Sequence, residues 1–387
     1  MLFKTFNIVM AAILFPALIS CGLSEGNSVE IVDGIKVYKN GNYPSKMDLS
    51  IKAELQFVLN RDVGDTTAVI RRIGAIDMDD KGNIFILDTR KNSVFKFSVN
   101  GDFIESFGRK GSGPGEIMWP RELLCSNDSV YVVDQRSRKI IVYDSACNYI
   151  KDITPVRENG VPQSVAKLSE DKFVGIIFGR SGSRGSGGEM QFTYNLSMLN
   201  KKFEKTKDIV SKTIEMHFRD FIPEDHLNSY TTGNGRIYVA ENSEGMFSIN
   251  IYDKKGVLTE KIRKNYARVL YSEKERKRKK EAFESQYRWR EIDASKFRYK
   301  KAVRQLYFHK DGYLFAEGGK KRDDEEISNF IVDVFKDGLY LNTVDINAEN
   351  PDFYHNPDGF EKYLIGDRLF VYNSYDNEIF VYELKIF

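Results

Sequence analysis

The 387-residue chain predicts an all-β fold, a six-bladed β-propeller closed by a strand from near its own N-terminus. Three observations predict it. A two-strand unit recurs six times, at intervals suited to four strands per copy. The turn inside that unit carries Asp or Asn at one constant place. The chain also stops one strand short of a complete sixth copy, while an unpartnered strand stands near its start.

The clearest copy is Gly82-Asn-Ile-Phe-Ile-Leu-Asp88 followed by Ser93-Val-Phe-Lys-Phe97. It returns as Asp128-Ser-Val-Tyr-Val-Val-Asp134 with Lys139-Ile-Ile-Val-Tyr143, and again as Asp367-Arg-Leu-Phe-Val-Tyr-Asn373 with Glu378-Ile-Phe-Val-Tyr382. More degenerate copies pair Lys172–Ile177 with Phe192–Leu196, Arg236–Ala240 with Phe247–Tyr252, and Gly312–Ala316 with Phe330–Phe335. Their first strands begin near residues 84, 130, 173, 237, 313 and 369, so the short intervals fit four strands with tight turns and the longer ones mark insertions. Flanking runs 73–78 and 103–107 supply the other two strands of the first copy. Asp88, Asp134 and Asn373 occupy equivalent turn positions, where a short polar side chain satisfies backbone amides.

The ends complete the ring. Ile51, Ala53, Leu55, Phe57 and Leu59 alternate with Lys52, Glu54, Gln56 and Val58, a period-two strand with no copy of its own. It predicts the missing outer strand of the last blade, which would leave no open sheet edge. The propeller then spans residues 45–387.

The segment Phe107-Gly-Arg-Lys-Gly-Ser-Gly-Pro-Gly-Glu116, then Pro120, Val130–Asp134 and Ile140–Asp144, resembles an NHL-type propeller repeat, with Ser137-Arg138-Lys139 in place of the Asn-His-Leu triplet. At the N-terminus, Lys4 precedes an apolar stretch from Ile8 to Ile19, shorter than the ~20 residues a membrane helix needs. Its end, Leu18-Ile19-Ser20-Cys21, resembles a lipobox. Residues 1–20 therefore read as a lipoprotein signal peptide, Cys21 as the lipidated residue and 21–44 as a tether. The whole chain resembles a family of bacterial six-bladed propeller lipoproteins of largely unassigned function. That resemblance implies fold and brings no catalytic residues with it. The expected location is the bacterial cell envelope, at the outer membrane, with the protein exported, lipid-anchored and monomeric. Cys125 and Cys147 fall on non-adjacent strands of one copy and read as buried free thiols.

The insertions gather on one rim. Segments 179–188 and 318–327 are turns between second and third strands, and 211–230 and 264–303 are links between copies. The last is a basic helical insertion between blades four and five, counted from the first complete copy. From Arg263 to Arg304 there are 16 Lys or Arg against 6 Asp or Glu, an excess of ten that leaves the rest of the chain at −8. Ser272 and Glu275 have capping-box spacing, and Phe283 and Tyr287 make a narrow apolar stripe suited to packing on the propeller. The run Arg276, Lys277, Arg278, Lys279, Lys280 reads either as a cationic patch for an anionic polymer or membrane, or as a solvated helix face. With Trp289, Arg180, Arg184, Lys320, Lys321 and Arg322 it makes a candidate binding rim.

These features favour a non-catalytic binding or scaffolding module for an envelope protein, a glycan or another anionic ligand, with no cofactor and no specific nucleic acid. No zinc-hydrolase spacing, phosphate loop or Gly-x-Ser-x-Gly elbow occurs. The alternative is a metal-dependent lyase or lactonase holding Ca2+ or Zn2+ in the central channel through His217, His226 and Glu317.

Overall fold

The computed structural model describes residues 26–60, 70–156, 160–181, 190–216, 228–286, 292–320, 330–346, 348, 360–374 and 376–387. The described chain opens with a hairpin, β1 (Ser28–Val32) and β2 (Ile35–Asn40), followed by β3 (Ile51–Leu59). Four complete sheets then succeed one another. They are β4 (Ile73–Met78), β5 (Ile84–Asp88), β6 (Ser93–Phe97) and β7 (Phe103–Phe107); then β8 (Pro120–Ser126), β9 (Ser129–Asp134), β10 (Lys139–Asp144) and β11 (Tyr149–Ile153). Next come β12 (Gln163–Ser169), β13 (Lys172–Ser181), β14 (Met190–Asn200) and β15 (Lys205–Met216), and β16 (Tyr230–Gly233), β17 (Arg236–Ala240), β18 (Phe247–Tyr252) and β19 (Leu258–Lys264). After the helix α1 (Glu273–Gln286), β20 (Gln305–Phe308), β21 (Tyr313–Glu317), β22 (Phe330–Lys336) and β23 (Leu339–Ile346) form another sheet. The last strands are β24 (Phe360–Ile365), β25 (Arg368–Asn373) and β26 (Glu378–Ile386).

Those final three strands take β3 as their fourth, antiparallel to β26 from Ile51 opposite Ile386 to Leu59 opposite Ile379. The expected closure is therefore present, and the fold is a six-bladed propeller. The first strands of the sheets, β4, β8, β12, β16, β20 and β24, contact one another in succession around the channel and return to β4. Six apolar clusters fill the six gaps between blades. Because both faces of a blade are covered, a middle strand such as β5 is buried at all five positions, which explains its unbroken apolar run.

Three expectations need correction. Counted in chain order from the closing sheet that holds β3, α1 lies between blades five and six; the count of four and five began one blade later, at the first complete copy. Second, segments 179–181 and 211–216, expected in loop and link, belong to β13 and β15, whose long ladders with β14 extend past the usual blade length.

Third, the segment expected as part of a tether is folded from residue 26 onward. β2 runs parallel to β19, extending blade five to six strands, with β1 outside it. Tyr38 packs against Gly338, whose positive φ of 84° turns the chain between β22 and β23 and leaves no room for a Cβ. Asn40 is buried, donates from Nδ2 to the Arg263 and Gly338 carbonyls (both 3.1 Å), and accepts from the Tyr340 amide at 2.8 Å. The Ser45 and Lys46 amides then bond the Tyr340 and Leu341 carbonyls before the chain enters β3. One continuous strap thus crosses the outer edges of blades five, six and one.

Removing the Asn40 side chain leaves a buried amide and two carbonyls short of partners, which costs about 1–3 kcal/mol. Asn40→Ala should lower urea-unfolding stability by that amount, and deletion of residues 22–44 should lower it further. Unchanged stability in both would show that the strap contributes nothing to the propeller.

Candidate binding face

The turns between second and third strands and the links between blades share one face, here called the top. Two of the equivalent turn residues organise it. Asp88 is fully buried, and its carboxylate accepts from the amides of Arg71 (2.6 Å), Arg90 (2.8 Å) and Lys91 (2.9 Å). Asp134, also fully buried, accepts from Met118 (2.5 Å), Trp119 (3.2 Å), Arg136 (3.1 Å) and Ser137 (3.0 Å). Each carboxylate ties the link entering a blade to the turn in the middle of that blade. The sequence expectation of turn capping captures half of this. Asn373 makes a weaker local version, its Oδ1 accepting from the Asp376 amide at 3.5 Å.

The basic helix is present and its capping box is formed. The Ser272 amide donates to Glu275 (2.8 Å) and the Glu275 amide to the Ser272 hydroxyl (3.2 Å). Its charges are partly matched within the insertion. Arg276 faces Glu273, Lys277 faces Glu281 and Lys280 faces Glu284, at 3.7–4.0 Å. Lys279 lies over the rings of Tyr271 and Phe297. Phe283 joins Ile292 and Phe297 in a satellite core, so the apolar side of α1 packs within the insertion and not on the propeller as expected. Arg278 remains on the same helix without an ion pair among the described residues. These exposed pairs contribute little stability, but they reduce the field that five bare cations would give.

Elsewhere the expected rim is only partly assembled. Lys320 bonds Asp333 at 2.7 Å, and Lys300 bridges Glu275 of α1 to the Lys320 carbonyl, so the insertion and the turn after β21 meet. The backbone of Arg180 belongs to β13, opposite Phe192 in blade four, and is not part of that assembly. Cys21, Arg184, His217, His226, Trp289, Lys321 and Arg322 lie outside the described residues.

Glu317 does not suit the metal alternative. It is buried, with Arg304 Nη2 and Lys362 Nζ (3.0 Å) on one oxygen and the Tyr307 hydroxyl (3.1 Å) on the other. Burial pushes its carboxyl up, but Arg304 and Lys362 outweigh that and hold it down at about 2. Asp333 makes a matching site on the other face of the same sheet, with Lys264 (3.0 Å), Lys320 and the Thr343 hydroxyl (2.6 Å). Burial lowers Lys264 to about 8 against the pull of Asp333. Both carboxylates lock neighbouring blades together, so their cations take the place a metal would need. Among the described residues no group of three or more His, Cys, Asp or Glu is placed to hold a metal ion.

Acidic side chains on the inner strands have the same task. Asp77 of β4 accepts from the Cys125 amide of β8 at 2.7 Å. Glu122 of β8 accepts from the Ser164 amide and from Val165 at 2.8 Å, both on β12. Thr232 of β16 continues the series by donating to the Lys167 carbonyl of β12 (2.6 Å). Cys125 and Cys147 are free and buried, as expected, and burial raises the Cys147 thiol to about 12.

Burial also raises Asp77 from 3.8 to about 7, against its two amide donors. A carboxyl raised on folding stabilises below its unfolded value, and that contribution is lost as pH rises through the folded value. The contribution of Asp77 to the melting temperature should therefore fall between pH 4 and 8. Asp77→Asn keeps an acceptor for the Cys125 amide and should flatten that fall. An identical pH profile in the variant would contradict the assignment.

Sequence comparison finds no match among curated proteins. The solved structures similar to this chain include a Bacteroides vulgatus member of the DUF4221 family (TM-score 0.50, 11% identity, 87% of this chain and 99% of that one). A Bacteroides fragilis protein named as a candidate for export has TM-score 0.47 and 11% identity over 91% and 99% of the two chains. Virginiamycin B lyase of Staphylococcus aureus has TM-score 0.43 and 11% identity over 87% and 99%. At such identity these likenesses concern the fold alone. The chain is a six-bladed β-propeller, and over residues 64–255 it matches the model of the DUF5128 family of six-bladed β-propellers.

Proposed function

We propose that the protein is an exported lipoprotein, anchored through Cys21, whose propeller is a non-catalytic module that binds an anionic ligand or envelope partner on its top face. The observation that carries this reading is how the charged groups are employed. The inner-strand acids Asp77 and Glu122 and the buried Glu317 and Asp333 are engaged in joining blades. The exposed Arg71, Arg90, Arg121 and Arg136 on the top face have no ion pair among the described residues. On the opposite face of blades two to four, the turns carry Asp79, Asp80, Asp128, Glu170 and Asp171. A basic top and an acidic bottom would orient the molecule toward a polyanion and raise its encounter rate. The pocket of about 210 Å³ at Tyr131, Phe173 and Lys202 belongs to that opposite face and is too small for a polymer.

Purified Cys21→Ser protein should be retained on a heparin support, elute at moderate salt, and behave identically after dialysis against a chelator. In cells, labelled palmitate should enter the wild type and not the Cys21→Ser variant. Lack of retention, or stoichiometric calcium or zinc required for retention, would defeat the binding-module reading. Equal palmitate labelling of both forms would defeat the anchor.

A further inference from the structure

Four exposed residues of blades two and three, Arg71, Arg90, Trp119 and Arg136, are linked through their backbones on the top face. Arg71 and Arg90 are joined through the Asp88 carboxylate, which receives both amides. Trp119 and Arg136 are joined in the same way, both amides donating to Oδ1 of Asp134. Asn92 connects the two halves, because its Nδ2 donates to the Met118 carbonyl at 2.7 Å, beside Trp119. Trp119 is 49% exposed, with the Arg121 guanidinium 5.7 Å from its ring. Arg90 and Arg136 are equivalent, each two residues after its capping aspartate, so the repeat presents the same cation from successive blades.

From this we infer that the top of blades two and three is a binding site for an acidic polysaccharide. Guanidinium groups match carboxylates in a bidentate fork, and their planar donors are held here on turns braced from beneath. The exposed Trp119 indole beside Arg121, on the link that joins the two blades, adds a flat apolar surface suited to the ring face of a sugar. An acidic polysaccharide offers both chemistries on each repeat. The proposal rests on the export reading above, which makes a glycan and not a nucleic acid the polyanion on offer.

The test uses full-length Cys21→Ser protein with polygalacturonate, its fully methyl-esterified form and single-stranded oligodeoxythymidine as probes. Polygalacturonate should bind, and the esterified form should not. Trp119→Ala should weaken binding about ten-fold, the size of one lost stacking contact, and Trp119→Phe should recover most of it. The double variant Arg90→Gln with Arg136→Gln should flatten the salt dependence, and all three variants should keep the wild-type melting temperature. Loss of binding only when Arg276 to Lys280 are all changed to Gln would overturn this site while leaving the anionic-ligand reading intact. Failure of wild type to bind polygalacturonate and heparin alike would overturn both. Oligodeoxythymidine binding as tight as polygalacturonate, and weakened equally by Trp119→Ala, would overturn the polysaccharide assignment.

Discussion

The antiparallel pairing of β3 with β26 is the constraint on which the rest depends. Without β3 the last blade would hold three strands, its β26 ladder edge would be unpaired, and the apolar layers beside that blade would be incompletely covered. Here the last blade lacks a strand, and residues 51–59 supply it from the far end of the sequence. Once that ladder forms, all six interblade gaps are enclosed, and residues such as Phe85, Phe315 and Phe370 lose all exposure. The cost is entropic, since a loop of more than 300 residues must close. Loop entropy grows only logarithmically with length, so the ladder and the apolar clusters beside it can offset it.

The strap makes the closure asymmetric. Blades five, six and one are tied along their outer edges by Asn40, Ser45 and β3, whereas blades two to four are joined mainly through inner strands and their own apolar layers. Charge follows a similar division. In blades five and six, Glu317, Asp333 and Glu275 neutralise nearby cations. In blades two and three, the buried aspartates are occupied by backbone amides, and the arginines above them are left to solvent. The same carboxylate therefore braces the fold and holds the cationic side chains at the surface.

Much of this was legible in the sequence because it repeats. The two-strand unit, its capping Asp and the period-two pattern of residues 51–59 each express a local rule. The hairpin at 28–40 was not legible. Val29 and Ile31 are exposed while Tyr38 and Asn40 are buried, so its pattern follows a partner more than 200 residues away and no local period. The extension of β15 was hidden for a related reason: its polar alternation in Ser211–Met216 resembles a link unless β14 is known to lie beside it. The basic helix drew notice by its charge density, although Lys277 with Glu281 and Lys280 with Glu284 already stood at pairing distance along a helix. The equivalence of Arg90 and Arg136 was present in the repeat, but only the bond from the Trp119 amide to Asp134 shows that an aromatic residue shares the carboxylate that holds Arg136.

Native-state hydrogen exchange addresses the ring closure most directly. If β3 is an integral strand, its amides from Ala53 to Leu59 that face β26 exchange only through global unfolding. Their protection should then equal that of the buried Ile84–Leu87 amides in β5. Exchange of the β3 amides through a local opening, with β5 remaining fully protected, would show that the propeller persists without its N-terminal strand and would contradict this account.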